Sequence, residues 1–142
     1  MGGINVGRWL AGGGAAGVVI WLLEGVASVL YMDDMQAALQ RLGLSFEMNA
    51  TMWVLSVVVS LLLGLALVFF YAAARPRFGP GPRTAAIVAV ALWLGGSLLS
   101  VIGYYMLGIY PARMLVMWGV MSLVEMIVAG FVGAWIYREP AA

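Results

Sequence analysis

The hydrophobic positions of the chain fall into four long runs, separated by short polar stretches that carry most of the charged residues. The runs can be bounded at about 9–31, 49–73, 84–107 and 111–137, and each exceeds the ~20 residues that an α-helix needs to cross a ~30 Å hydrocarbon layer. Their interiors contain no proline, so the spans should be unbroken. The pattern predicts an all-α membrane protein, an antiparallel bundle of four transmembrane helices in which residues 1–142 form one domain.

The first connection predicts an additional short helix. Asp33 precedes Gln36 at the spacing of a capping box, and apolar residues then recur at helical intervals. This pattern predicts an amphipathic helix near 34–42 that lies flat at the membrane interface. Such a helix fits either a lid or partner-docking element or a plain connector.

The other two connections contain strong turn signals. Three prolines and two glycines at positions 76–82 favour a stiff, non-helical loop, and Thr84 is a natural N-cap for the third span. Gly108 suits the end of a helix and Pro111 the first turn of the next one. The third and fourth spans should therefore form a tight antiparallel hairpin.

The central loop also resembles a known sequence signature. The stretch from Tyr71 to Ala85, with Arg75-Pro76-Arg77-Phe78-Gly79-Pro80-Gly81-Pro82 at its centre, is similar to a segment of small four-span bacterial membrane proteins that remain uncharacterised. The detailed resemblance covers only this segment, and the four-span layout agrees with it. It implies a family, but no activity, site or cofactor.

The arginines predict the orientation of the bundle. One set of span ends carries five of them, Arg8, Arg75, Arg77, Arg83 and Arg138, and the opposite set carries only Arg41 and Arg113. Because cytoplasmic loops accumulate positive charge, both termini should face the cytoplasm, in a bacterial inner membrane. The three arginines of the central loop, Arg75, Arg77 and Arg83, are candidate contacts for anionic lipid headgroups or an acidic partner. The alternative is a stiff turn that only fixes the topology.

Arg8 before an apolar run also fits a cleaved signal peptide. Glu24 interrupts that run, however, and no convincing small-residue cleavage motif follows it. A membrane span that is retained in the mature protein is the preferred interpretation.

Composition narrows the chemistry further. Hydrophobic residues make up 65% of the chain and charged residues 9%, far from the roughly 25% charged residues of soluble proteins. The chain has no Cys and no His, which removes disulfides, thiolate metal sites, the common haem ligand and the commonest general base. With a net charge of +1 and scattered arginines, nothing favours nucleic acid. We therefore predict no enzyme activity and no cofactor.

Small residues repeat on one face of every predicted span. In lipid, helices associate through such faces, because side chains without bulk let the backbones approach closely. Aromatic residues near the span ends are expected to sit at the membrane surfaces. The faces are Gly13, Gly17, Ile20, Glu24 and Ser28; Ser56, Ser60 and Gly64; Gly96, Ser100 and Gly103; and Ser122, Glu125, Ala129 and Gly133.

Glu24 and Glu125 are the candidate intramembrane polar site. They are the only acidic residues well inside the predicted spans, where a carboxylate costs at least ~2.5 kcal/mol. Counting ~1.5 Å per residue places them at similar depth on neighbouring helices. If they touch, they should share one proton and could carry a proton or a cation. Alternatively, each is a neutral packing group bonded to Ser28, Ser122, a Trp N–H or a backbone carbonyl, or Glu24 reaches Arg113.

Two functions are consistent with these features. The preferred hypothesis is a structural or accessory subunit that packs against lipids and other membrane subunits, in a homo-oligomer or a larger complex of respiratory or photosynthetic type. The alternative is a small proton, cation or solute channel or transporter that uses Glu24 and Glu125.

Overall fold

Seven helical segments make up most of the described chain. The computed structural model describes residues 3–138; residues 1–2 and 139–142, which the predicted domain includes, lie outside the described part. The helices are α1 (Val6–Ser28), α2 (Met32–Arg41), α3 (Ala50–Phe78), α4 (Pro82–Trp93), α5 (Leu99–Leu107) and α6 (Ala112–Ile136), and a π-helical segment, Leu94–Leu98, joins α4 to α5. No strand occurs between residues 3 and 138.

Four helices are long and apolar enough to cross a membrane, as the hydrophobic pattern predicts. They are α1, α3, the continuous helix Pro82–Leu107 and α6, with mean hydropathies of 1.6, 2.7, 2.3 and 2.1. The all-helical class and the four long apolar helices are thereby confirmed, and they are the features of a multi-pass membrane protein. The largest difference from the predicted bounds is at the end of α3, which reaches Phe78 instead of residue 73.

α3 continues through Pro76, so the prediction of a non-helical loop is wrong for residues 75–78. A proline inside a helix removes one N–H donor and crowds the carbonyl one turn earlier. Here the proline lies only two residues from the helix end, where little further helix depends on the lost bond. The last turn closes beyond it, because the N–H of Gly79 donates to the Arg75 carbonyl at 2.9 Å. Gly79, at φ 81°, then ends the helix.

Thr84 is not the N-cap of the third span, which corrects a second prediction. α4 begins at Pro82 with Gly81 as its N-cap, because proline is well suited to the first helical position. Thr84 therefore lies inside the helix, where it is 1% exposed, and its hydroxyl donates to the Gly79 carbonyl at 2.7 Å. The hydroxyl satisfies a carbonyl at the end of α3 and holds the turn at residues 79–81 closed.

α2 begins earlier than the capping-box pattern predicts. Its first residue is Met32, and its N-cap, Tyr31, makes no side-chain capping bond. Asp33 therefore lies in the first turn, where a carboxylate interacts favourably with the helix dipole, and its predicted role as N-cap is wrong. The short helix itself is present, while its position at a membrane interface stays a prediction.

The hairpin between the third and fourth spans forms as the sequence predicts. Gly108 follows α5 in the left-handed region, at φ 65° and ψ 21°, which favours glycine. Pro111 is the N-cap of α6 and not a residue of its first turn. The short turn makes these two helices antiparallel neighbours.

The two ends of the bundle differ in what they carry. At one end, called the turn end, the N–H of Asn5 donates to the Tyr137 hydroxyl at 3.3 Å and the N–H of Gly81 to the Tyr71 hydroxyl at 3.0 Å. The two tyrosine rings meet edge to face at 6.2 Å. Both described termini and the turn at residues 79–81 thus come together there. The opposite end, called the α2 end, carries α2 and Gly108.

Glycines set the closest helix contacts. α1 packs against α3 and α6, and α4 packs against both α6 and α3. A Cβ added to Gly64 would overlap the backbone of Gly13 and Gly17, and one added to Gly12 would lie 2.8 Å from the Gly133 carbonyl oxygen. The glycines in the small-residue faces of the first, second and fourth spans are therefore confirmed as helix contacts.

The small residues of the third span make no such contact, so this part of the prediction is wrong. A Cβ at Gly95, Gly96 or Gly103 would meet no atom within 4 Å, and Ser100 is exposed. The span is also not a regular helix, because the π-helical segment Leu94–Leu98 contains an adjacent pair of glycines of low helix propensity. Beyond this segment α5 contacts α6 but has little contact with α3.

Candidate functional site

Glu24 and Glu125 lie next to each other, although their helices are far apart in the sequence. α1 and α6 pack together, and the Glu24 carboxyl is both a charge neighbour and a hydrogen-bonding neighbour of Glu125. Glu125 is 6% exposed, and its Oε1 has no hydrogen-bond partner among residues 3–138. Two carboxylates in contact at low dielectric resist a double negative charge. The pair is therefore suited to holding one shared proton.

Tyr31 completes the polar cluster. Its hydroxyl donates to Oε1 of Glu24 in a short hydrogen bond. The chain turns directly after α1, where the N–H of Tyr31 bonds the Ser28 carbonyl at 3.2 Å, and the ring then packs in a small core with Ala27 and Met114. The tyrosine is 6% exposed. It thus closes the cluster of carboxyl groups on the side of the α2 end.

The two serines expected to hydrogen-bond Glu24 and Glu125 form hydrogen bonds with other groups. The Ser28 hydroxyl donates to the Gly25 carbonyl at 2.8 Å, and the Ser122 hydroxyl donates to the Gly119 carbonyl at 3.1 Å. Ser122 also accepts a bond from the Trp93 indole. Serine hydroxyls on helices often bond the preceding turn, which leaves them unavailable to the carboxyls. Arg113, the other expected partner, is exposed in the first turn of α6.

Tyr31 lies outside the spanning helices, and its surroundings keep its phenol neutral. Burial, the hydrogen bond to Glu24 and the nearby carboxylate charges raise the pKa of Tyr31 well above its ordinary value of 10.0. Since the unfolded chain would release this proton first, the neutral phenol stabilises the fold at neutral pH. That contribution falls as the pH rises above 10.0.

We expect the Tyr31 phenol to stay protonated in alkaline solution, above the pH at which a solvated tyrosine ionises. The measurement is the tyrosinate absorbance of the folded protein in detergent, with Tyr31→Phe subtracted. The difference should show no ionisation centred on pH 10.0, and a midpoint there would contradict the prediction. Tyr105→Phe, which removes the hydroxyl of a tyrosine that is 66% exposed, is the matched control.

A cavity of about 500 Å³ opens beside the carboxyl cluster at the α2 end. Glu24 and Tyr31 belong to its wall, which is mainly apolar and also includes the hydroxyls of three serines and of Tyr110. Among residues 3–138, no arginine lines it. Its aromatic lining consists of Trp21, Tyr31, Phe46, Trp53, Tyr110 and Trp118.

The path of the third span explains why this space is open. α4 fills the position between α3 and α6 at the turn end, whereas α5 has little contact with α3 at the α2 end. Trp53, Ser56 and Ser60 on α3 and Met114 and Trp118 on α6 therefore line a cavity at the place where α5 does not fill the space between these two helices.

The aromatic walls are fixed by contacts of their own. The Trp21 indole donates to the Ser56 hydroxyl at 3.1 Å and meets the Trp53 ring edge to face at 5.7 Å. On the other wall, Trp118 stacks on Tyr104 at 5.6 Å with 26° between the rings. Two of the three tryptophans are thus held before any ligand arrives, and the third is in ring contact with one of them.

No family model, curated protein or solved structure matches the chain. The family suggested by the central loop therefore stays a prediction. Among residues 3–138, no group of three or more His, Cys, Asp or Glu side chains is placed to hold a metal ion.

The three arginines of the central loop do not form one site. Arg75 turns toward the bundle, with its guanidinium carbon 5.5 Å from the centre of the Tyr137 ring, and it lines a second cavity of about 510 Å³ at the turn end. Arg77 and Arg83 are exposed. A contact of these residues with lipid headgroups or an acidic partner stays a prediction.

Sequence reasoning found the two carboxyls but missed the residues around them. The sequence indicates no cavity, whereas Trp21, Trp53 and Tyr31 all line one. One signal was available for Tyr31, because it follows Glu24 by seven residues, a spacing that returns to the same helical face. Nothing in the local sequence places Trp118 opposite Trp21.

Proposed function

We propose that the chain is a small protein of a bacterial inner membrane that acts as a structural or accessory subunit, without an enzymatic activity or a cofactor of its own. It packs in a homo-oligomer or in a larger complex of respiratory or photosynthetic type. The observation that supports this is the open small-residue face of the third span, formed by Gly95, Gly96, Ser100 and Gly103.

Helices in lipid associate through direct packing, without a hydrophobic driving force between them. Close backbone approach is the main source of stability there, and glycine allows it by lacking a side chain. The faces of the other three spans are used for this purpose inside the chain, whereas a Cβ at Gly103 would meet only open space. Large apolar side chains flank the open face, with Leu99 62% and Ile102 45% exposed. A helix from a second protein fits such a face.

Photochemical cross-linking tests the proposal, because the chain has no native Cys. A benzophenone maleimide attached to Ile102→Cys, beside the open face so that its glycines stay unchanged, should cross-link to protein in native membranes, as a second copy or a distinct subunit. Val59→Cys, at a residue of α3 that is 60% exposed, is the matched control and should give mainly lipid adducts. Lipid adducts alone at both positions would contradict the proposal.

The proposed orientation places both termini and the turn at residues 79–81 in the cytoplasm, as the arginine distribution favours. We expect a membrane-impermeant maleimide to label Leu44→Cys in intact cells and Pro80→Cys only after permeabilisation. Both positions are exposed, and neither has the positive φ that makes substitution at Gly79 unfavourable. The reverse labelling pattern would show that the orientation is inverted.

We also propose a second candidate function, transport of a proton or cation past Glu24 and Glu125. The supporting observation is that Glu24, in contact with Glu125, lines a cavity that is open at the α2 end. Toward the turn end, Leu67, Val68 and Tyr71 of α3 are packed in the core. Transport therefore requires a conformational change or an assembly of several copies. Wild-type proteoliposomes that pass no protons, sodium, potassium or anions would exclude it.

A further inference from the structure

We propose that the cavity at the α2 end is a binding site for an amphiphilic organic cation, a molecule with an apolar or aromatic body and one positive charge. The proposal deepens the second candidate function and rests on the same cavity. Binding can be measured in detergent without any transport, so the binding site and the transport function can be contradicted independently of each other.

The size of the cavity fits a small organic molecule. Its volume of about 500 Å³ lies within the roughly 300–1,000 Å³ that is typical of ligand pockets. Such pockets combine an apolar wall with a few polar groups that select the ligand. Here the apolar wall is supplied by aromatic rings and methionines, and the selecting group is the Glu24 carboxyl.

The charge of the wall selects a cation. Among the described residues, Glu24 is the only acidic side chain that lines the cavity, and no arginine lies there to balance it or to attract an anion. Glu125 lies directly behind Glu24, and its buried Oε1 has no partner among the described residues. A positive group beside Glu24 would supply the missing counter-charge and allow both carboxyls to be ionised together.

The aromatic side chains favour the same kind of ligand. A cation is attracted to the face of an aromatic ring, most strongly that of tryptophan, and quaternary ammonium groups are commonly held in this way. Three tryptophans line the cavity. Trp21 is bonded to Ser56, and Trp118 is stacked on Tyr104, so the rings are already in place. Little ordering is then required when a ligand binds.

An inorganic cation fits the same site poorly. Calcium needs six to eight oxygen ligands at about 2.3–2.6 Å, and magnesium a nearly ideal octahedron. The wall offers Glu24, three serine hydroxyls and two phenols, spread over a space far larger than an ion. A neutral lipid chain would fill the apolar part but would leave the carboxyl without a counter-charge. The combination of volume, aromatic lining and one carboxyl therefore favours the organic cation.

The test compares benzyltrimethylammonium with neopentylbenzene, its neutral carbon isostere, and with benzenesulfonate, using quenching of tryptophan fluorescence in detergent. The cation should bind the wild-type protein about tenfold more tightly than the isostere, and the anion should bind least. Glu24→Gln should lower the affinity for the cation by about tenfold and leave that for the isostere nearly unchanged. Glu47→Gln, the same change at an exposed residue outside the cavity wall, should retain wild-type binding.

Two results would overturn the proposal: equal affinity for the cation and its isostere, or full binding of the cation by Glu24→Gln. If gel filtration shows that this variant does not fold, the comparison of the two ligands on the wild-type protein is sufficient to test the proposal. A protein that binds the cation but does not move it across vesicles supports the site and contradicts the transport function.

Discussion

Gly64→Ala is expected to separate α1 from α3 and to prevent the chain from forming a stable bundle. The added Cβ would overlap the backbone nitrogen of Gly17 and the carbonyl oxygen of Gly13. Backbone atoms of a packed helix cannot rotate away as a side chain can, so the two helices must move apart. We expect a loss of about 3 kcal/mol or more, at the upper end of what overpacking causes.

The separation would also break polar contacts across this interface. The Trp9 indole donates to the Leu65 carbonyl at 2.8 Å, and the Trp21 indole donates to the Ser56 hydroxyl at 3.1 Å. Both bonds join α1 to α3 and depend on the close approach at Gly64. Their loss would change the environment of both tryptophans, so tryptophan fluorescence measures the separation of α1 from α3.

Unfolding by increasing mole fraction of sodium dodecyl sulfate, followed by circular dichroism and tryptophan fluorescence, measures the effect. The matched control is Gly14→Ala on α1, where an added Cβ would meet no atom within 4 Å. The control should unfold like the wild-type protein or slightly later, because alanine is the better helix former. Coincident unfolding of the two variants would show that the α1–α3 contact is not as close as described.

The glycine contacts also show how far the sequence can predict this fold. Spacing alone places Gly13 and Gly17 on one face and predicts that the face is used, because small residues in lipid have few other structural roles. It does not say which partner each face meets. The face with Gly96 and Gly103 has the same spacing and remains open, since the choice among four similar faces depends on the arrangement of the whole bundle.

Two predictions from residue preferences at helix ends were also wrong. Pro76 favours a helix end, yet α3 accepts it because the lost bond lies in its last turn. Thr84 favours an N-cap, yet Pro82 starts the helix first. The position of Pro76 in the last turn of α3 decided the first case, and the neighbouring Pro82 decided the second.

The candidate site was only partly predictable for a similar reason. The depth of Glu24 and Glu125 follows from counting residues along two straight helices, and their contact follows from the neighbouring positions of α1 and α6. Tyr31 follows Glu24 at a spacing that returns to the same helical face, but it lies beyond the end of α1, so the spacing alone does not place its ring. The cavity depends on the departure of α5 from α3, and no local pattern of hydrophobic residues encodes that separation.

Changing both Glu24 and Glu125 to Gln is expected to leave the bundle folded and to abolish any pH-dependent flux. Glutamine and protonated glutamate have similar shape and hydrogen-bonding groups, and the Tyr31 hydroxyl can still donate to the amide oxygen at position 24. Glutamine cannot bind or release a proton, however. The two functions proposed above therefore predict different outcomes for the same variant, because assembly needs the shape of these residues and transport needs their ionisation.

The experiment measures proton and cation flux in proteoliposomes across a range of pH, together with the detergent stability and the Ile102→Cys cross-links of the same variants. Glu47→Gln is the matched control, since it removes an exposed carboxylate outside the cavity wall. Flux that disappears in the double variant while the cross-links persist would support transport through the carboxyl pair. Flux equal to that of the wild-type protein would exclude a role of the pair in conduction. Absence of flux already in the wild-type protein would exclude transport and leave the role of a membrane subunit, with or without a ligand bound beside Glu24.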